Sequence, residues 1–126
     1  MTKRAPLVAQ FGRSVERLRE VLSLEKQDFV RDSAILRFEI ALDLSWKALR
    51  TYLLEVHGVR CFSPKSCIRE AYRIGVLEYQ DAWLDYIDMR NIAVHTYNEN
   101  VAEDVYRKLP AALRCFEELY SRLQSP

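Results

Sequence analysis

Apolar residues recur every three or four positions along almost the whole chain, the period of an α-helix with one buried side. Val8, Phe11, Val15, Leu18 and the pair Val21/Leu22 form the first such stripe and predict a helix over Pro6–Leu24. A polar connector, "EKQD", follows. The next periodic stretch is the longest and predicts a helix over Phe29–His57. It carries one stripe of Ile35, Phe38, Leu42, Trp46, Leu49, Leu53 and Val56, and a second of Leu36, Ile40, Leu44 and Leu54. A helix with one buried side needs only one stripe. Two stripes predict burial on two sides: against the domain core, and against something else, such as a second subunit. Gly58 supplies the stop.

Ser63 and Pro64 restart the chain as an N-cap and a first helical residue. They predict a short helix to Ile74, ended by Gly75. A fourth helix is expected from Glu78 into the stretch "DMRNIAVHTYNEN", Asp88 to Asn100. Asn100-Val101-Ala102-Glu103 has the form of a capping box, with Asn as the cap, and opens a last helix to Leu123. Pro110 should kink that helix or split it. The pattern predicts an all-α fold: an antiparallel up-and-down four-helix bundle with one extra short helix, in a single domain over residues 1–126.

Three glycines and four prolines in 126 residues leave few turns, which agrees with long helices rather than a many-stranded sheet. The net charge of +1 lacks the basic footprint of a non-specific nucleic-acid binder, so any such contact must be local and lie in a cleft. Near-neutral charge also suits a chain that works with a protein partner. Cys61, Cys67 and Cys115 lack the short spacing of zinc pairs, and no nearby histidine completes a site. They are expected to be reduced, structural thiols of a cytoplasmic protein. Met1-Thr2-Lys3-Arg4 is not followed by an unbroken apolar run, and no stretch approaches the ~20 apolar residues of a membrane span. No membrane association, cofactor or metal is expected.

Chemistry concentrates in "DMRNIAVHTYNEN". On a regular helix Arg90 and His95 point about 140° apart, whereas Asn91 shares a face with His95, and Arg90 shares one with Tyr97. One unbroken helix therefore cannot bring Arg90 and His95 onto a single small target. Either the helix ends or bends near His95, or a second subunit supplies the missing group. Such a set suits phosphodiester cleavage without metal: histidine moves protons near neutral pH, and arginine offers a fork of donors to a phosphate gaining charge. RNA brings its own 2′-OH nucleophile. The competing reading is the polar end of an ordinary helix, where cations suit the dipole. The carboxylates needed to hold Mg²⁺ are not clustered here; Asp85 and Asp88 lie about one turn upstream, and are as well suited to salt-bridge Arg90 and hold it in place. Glu39, Asp43, Lys47 and Arg50 share one face of the long helix, either as a solvated face with internal ion pairs or as a wall of the cleft. His57 suits the C-terminal end of that helix. Trp46 and Trp83 fall on apolar stripes and read as core.

The segment "RNIAVHTY" resembles the Arg-x4-His-x-Tyr signature of the HEPN proteins called HepT, once named nucleotidyltransferase substrate-binding proteins. "FVRDSAILRFEIALDLSWKALRTYLLEVHG", "SPKSCIREAYRIGVL" and "WLDYIDMRNIAVHTYNEN" resemble successive blocks of that family, over roughly Phe29 to Leu123. The resemblance implies a helical bundle, a homodimer, and the toxin of a toxin–antitoxin pair acting as a metal-independent ribonuclease on RNA. Arg90 and His95 match its catalytic positions, and Asn91 a polar position between them. It implies a minimal nucleotidyltransferase as partner and antitoxin, which transfers AMP from ATP to the tyrosine matching Tyr97. The alternative is a non-catalytic partner module in which the same residues bind nucleotide or substrate.

Overall fold

The computed structural model describes residues 3–95 and 98–124, with the backbone alone for residues 94 and 95. It contains α1 (Arg4–Leu22), α2 (Asp28–His57), α3 (Pro64–Arg73), α4 (Asp81–His95) and α5 (Glu99–Gln124), with no strand among the described residues. The long helix α2 is the hub: it packs on α1 and α5, and on α3 and α4. Its first expected stripe supplies the core residues Phe38, Leu42, Leu49 and Leu53. Phe116 of α5 knits the helices together, with its ring centroid 6.1 Å from Phe11 of α1, 6.0 Å from Phe38 of α2 and 5.4 Å from Trp83 of α4.

The helix ends follow local chemistry. Gly58 closes α2 in the left-handed conformation at φ 67°, with its N–H and that of Val59 donating to Leu54 and Leu53. At the start of α3, the Ser63 hydroxyl accepts from the Ser66 N–H at 3.2 Å, and Ser66 Oγ accepts from the Ser63 N–H at 3.0 Å. Two expectations need correction. The cap of α5 is Asn98, whose Oδ1 accepts from the N–H groups of Asn100 and Val101 at 2.8 and 3.3 Å. Glu103 does not reach back to a cap, because its carboxylate is taken by Lys26 and Arg31. Nor does Pro110 split α5, which runs unbroken through it. Pro110 is exposed, so water can satisfy the carbonyl its missing N–H leaves free.

The three thiols expected to be reduced are also corrected. Cys61 and Cys67 form a disulfide, with Cα atoms 5.1 Å apart, and Cys115 alone is free. The turn into the Ser63 cap folds the chain back, so that Cys67 in the first turn of α3 meets Cys61 just before the cap. A search for metal spacing could not find this pairing.

Gly12 lets α1 and α5 approach closely: a Cβ there would lie 2.6 Å from the Tyr120 ring. Gly12→Ala should therefore lower stability by about 1–3 kcal/mol through overpacking, despite alanine's better helix propensity. A urea melt of the variant checks this, and an unchanged midpoint would contradict it.

Candidate functional site

Arg90 lies one turn and a half before the end of α4 and opens into a hollow of about 180 Å³ lined by Leu42, Asp43, Trp46, Pro64, Ile87 and Arg90. Three helices build it: α2 contributes the apolar and acidic wall, α3 its first residue, and α4 the guanidinium. The Arg90 side chain is half-buried, and its Nη1 donates to Asn91 Oδ1 at 3.3 Å. Among the described residues it forms no ion pair. The expected bridge from Asp88 is corrected, because Asp88 points to α3 and pairs with Lys65 at 2.7 Å. A guanidinium that is not tied up in an ion pair can offer its donors to an external anion.

The acidic wall is arranged around that cation. Burial pushes the Glu39 carboxyl above its ordinary range, and the Arg90 charge pulls it part of the way back. Asp43 accepts from Lys47 Nζ at 2.9 Å and from the Trp46 indole Nε1–H at 3.3 Å. On the polar face of α2, Asp43–Lys47 is an internal ion pair, and Asp43 also lines the hollow with Arg90. Arg50 lies over the Trp46 ring at 5.8 Å from its centroid. Trp83 is core, but Trp46 is a half-buried wall of the hollow. Its place on an apolar stripe concealed this, since a stripe does not reveal where a neighbouring helix stops covering it.

At the far end of the motif, α4 runs to His95, so Arg90 and His95 both lie on its helical backbone, and the chain has left the helix by Asn98. The His95 side chain and Tyr97 lie outside the described residues. The first turns of α5 are anchored by charge. Arg31, only 5% exposed, donates to Glu103 at 2.9 Å and to Asp32 at 3.0 Å, and Lys26 also pairs with Glu103. Arg31 was not singled out from the sequence, where it is one more arginine beside an aspartate. Lys26 first and Arg31 second hold the Glu103 carboxyl below its ordinary value of 4.5. Because the folded state holds the proton less tightly than the unfolded chain, this pairing stabilises fully above that value and fades as pH falls through the lower, folded one. Glu103→Gln should flatten the acid limb of the stability profile, measured by urea unfolding between about pH 5 and pH 3; an unaltered limb would exclude the role.

Among the described residues, no group of three or more His, Cys, Asp or Glu is placed to hold a metal ion, and no helix is long and apolar enough to cross a membrane.

Residues 8–125 match the family described as "Nucleotidyltransferase substrate binding protein like". The chain belongs to this family, the HepT group of HEPN proteins. A HepT relative from Haemophilus influenzae, named "Probable ribonuclease HepT", is 33% identical over 87 residues, which make up 66% of this chain and 60% of that one. The chain thus spans less than two thirds of that relative's length. A crystal structure of a protein from Thermus thermophilus superposes with a TM-score of 0.87 at 37% identity, covering 91% of this chain and 99% of that one. The HepT fold is shared with a tri-AMPylated Shewanella oneidensis HEPN toxin in complex with an MNT antitoxin, at TM-score 0.75 and 20% identity over 100% of both chains.

Proposed function

We propose that this chain is the toxin of a toxin–antitoxin module, an endoribonuclease that cleaves RNA without a metal ion and is neutralised by a minimal nucleotidyltransferase. The observation that carries the reading is Arg90: a half-buried guanidinium, free of carboxylate partners among the described residues, in a hollow on the same helix as a histidine. The H. influenzae relative's name and the Shewanella toxin's partner agree with it.

In this mechanism His95 takes the proton of an RNA 2′-OH. The oxygen attacks the adjacent phosphorus, forming the O2′–P bond. Arg90 stabilises the charge of the phosphorane. The P–O5′ bond then breaks, and the leaving oxygen receives a proton from His95 or from the partner's His95. The products are a 2′,3′-cyclic phosphate and a 5′-OH.

A homodimer fits this scheme. The helix packing supports an up-and-down four-helix bundle with α3 as the extra element. Of the second stripe of α2, Leu44 is partly buried against the core, whereas Leu36, Ile40 and Leu54 stand outside it, joined by Phe29. Phe29, Leu36, Ile40 and Leu54 are 69, 57, 47 and 43% exposed. They fall within about 40° of one another around α2, next to the face that carries Glu39, Asp43 and Trp46. A second copy docking there brings two Arg90 hollows side by side. The antitoxin transfers AMP from ATP to Tyr97: the phenolic oxygen bonds the α-phosphorus and pyrophosphate leaves. The anion so added competes with RNA phosphate for Arg90.

The test is incubation of the purified protein with RNA in excess chelator, with the termini identified. New cyclic phosphate ends that vanish in His95→Ala support the proposal, and no cleavage by a folded protein overturns it. The near-neutral charge of +1 favours a second reading, a non-catalytic module that presents nucleotide to the nucleotidyltransferase. Tight nucleotide binding without product over hours would select it.

A further inference from the structure

The hollow beside Arg90 is more than a phosphate site. A guanidinium alone would serve a phosphate, and the remaining walls would then be polar or open to water. Four of them are instead apolar: the Trp46 indole, the Pro64 ring, Leu42 and Ile87. The indole is fixed twice, by its hydrogen bond to Asp43 and by the Arg50 guanidinium over its ring. Pro64 is fixed as well, since it opens α3 between the Ser63 cap and the Cys61–Cys67 disulfide. Rigid aromatic and aliphatic walls next to a cation suit a flat heterocycle joined to an anion.

We infer that this hollow is a nucleobase subsite, in which a base stacks against Trp46 and Pro64 while its phosphate meets Arg90, and that Asp43 selects guanine. The inference rests on the reading that Arg90 receives a phosphate. An ionised carboxylate only accepts hydrogen bonds, at about four lone-pair positions. Trp46 and Lys47 use one each, on different oxygens, which leaves about two. Guanine presents two adjacent donors in its plane, the ring N1–H and the exocyclic amino group, and so can satisfy both. Adenine and cytosine offer an amino group next to an acceptor, which would face carboxylate lone pairs. Uracil offers one donor between two carbonyls. Lys47 neutralises Asp43 at 2.9 Å, so the carboxylate does not repel the phosphate held nearby.

Trp46 and Trp83 are the only tryptophans, and Trp83 is buried at 3% exposure. Titration of the full chain with 5′-GMP, 5′-AMP, 5′-UMP and ribose 5-phosphate, followed by intrinsic fluorescence, therefore reports on Trp46. A saturable change at the lowest concentration with GMP, and none with ribose 5-phosphate, is expected. Asp43→Asn should remove the advantage of GMP over UMP, and Trp46→Leu should weaken GMP by about ten-fold in calorimetry. Circular dichroism confirms that each variant is folded, and Asp43→Ser and Trp46→Tyr serve as second variants. Equal binding of GMP and ribose 5-phosphate overturns the subsite, and a preference for AMP or UMP overturns the assignment of guanine. Oligonucleotides that differ only in the base beside the cleaved bond separate this inference from the ribonuclease reading. RNA cleavage with equal rates at guanine and uracil overturns the inference and leaves the ribonuclease intact. GMP selectivity in a protein that cuts no RNA does the reverse.

Discussion

Arg90→Ala is expected to lower the single-turnover rate of RNA cleavage by at least about 10²–10³-fold, the typical cost of removing one donor aimed at a developing oxyanion. The same variant should relieve growth arrest in cells while its unfolding midpoint stays within about 0.5 kcal/mol of the parent. The asymmetry follows from the surroundings of Arg90. Among the described residues its side chain makes one hydrogen bond, to the neighbouring Asn91 at 3.3 Å, so the fold loses little without it. The acidic wall registers the loss instead. Glu39 is deprived of the charge that draws its carboxyl down, and should titrate higher still. Arg90→Lys keeps the charge but not the planar fork, and should recover only part of the rate. His95→Ala should be as inactive as Arg90→Ala, and the double variant hardly worse, because groups acting in one step do not add. A stable Arg90→Ala protein that cuts RNA at an undiminished rate would exclude the mechanism.

Phe116→Ala should be the most destabilising single substitution in the core, at about 3–5 kcal/mol. Against a typical total of about 5–15 kcal/mol this removes a large share of the fold's stability. Phe116 is fully buried, and its ring meets aromatic rings from α1, α2 and α4. Truncation leaves a void at the junction, because the rigid helices around it cannot all close in. Urea unfolding should show a lower midpoint at an unchanged slope, the signature of lost stability with the same surface exposed. A loss below about 1 kcal/mol would mean that the neighbouring rings repack into the space.

Most of the fold is legible in the sequence because it rests on repeating patterns. Phe38, Leu42, Leu49 and Leu53 of the first stripe are buried as expected, and Ser63, Pro64 and Gly58 act at the ends they announce. What the sequence hides are choices between equivalent chemical groups. Asn98 and Asn100 can both cap α5, and the decision falls to Asn98 because Glu103 is already engaged with Lys26 and Arg31 across the fold. Asp85 and Asp88 both lie near Arg90 along one helix, yet α3 places Lys65 within reach of Asp88. Long-range pairing has no periodic signature. The same holds for the hollow: Trp46 and Asp43 could be recognised as neighbours, but not as two walls of a space that Pro64 and Arg90 complete.

The thirty residues of α2 carry three surfaces at once: the core stripe, the wall of the Arg90 hollow, and the exposed apolar row. Their angular relation is set only by counting along the helix. Gain or loss of a single residue within α2 turns everything beyond it by about 100° relative to everything before. An indel between Phe38 and Trp46 would leave Phe38 in the core and swing Trp46 out of the hollow, or the reverse. Length changes in this lineage should therefore gather in the connectors on either side of α2, at residues 25–27 and 59–62, while α2 keeps its length even as its side chains vary.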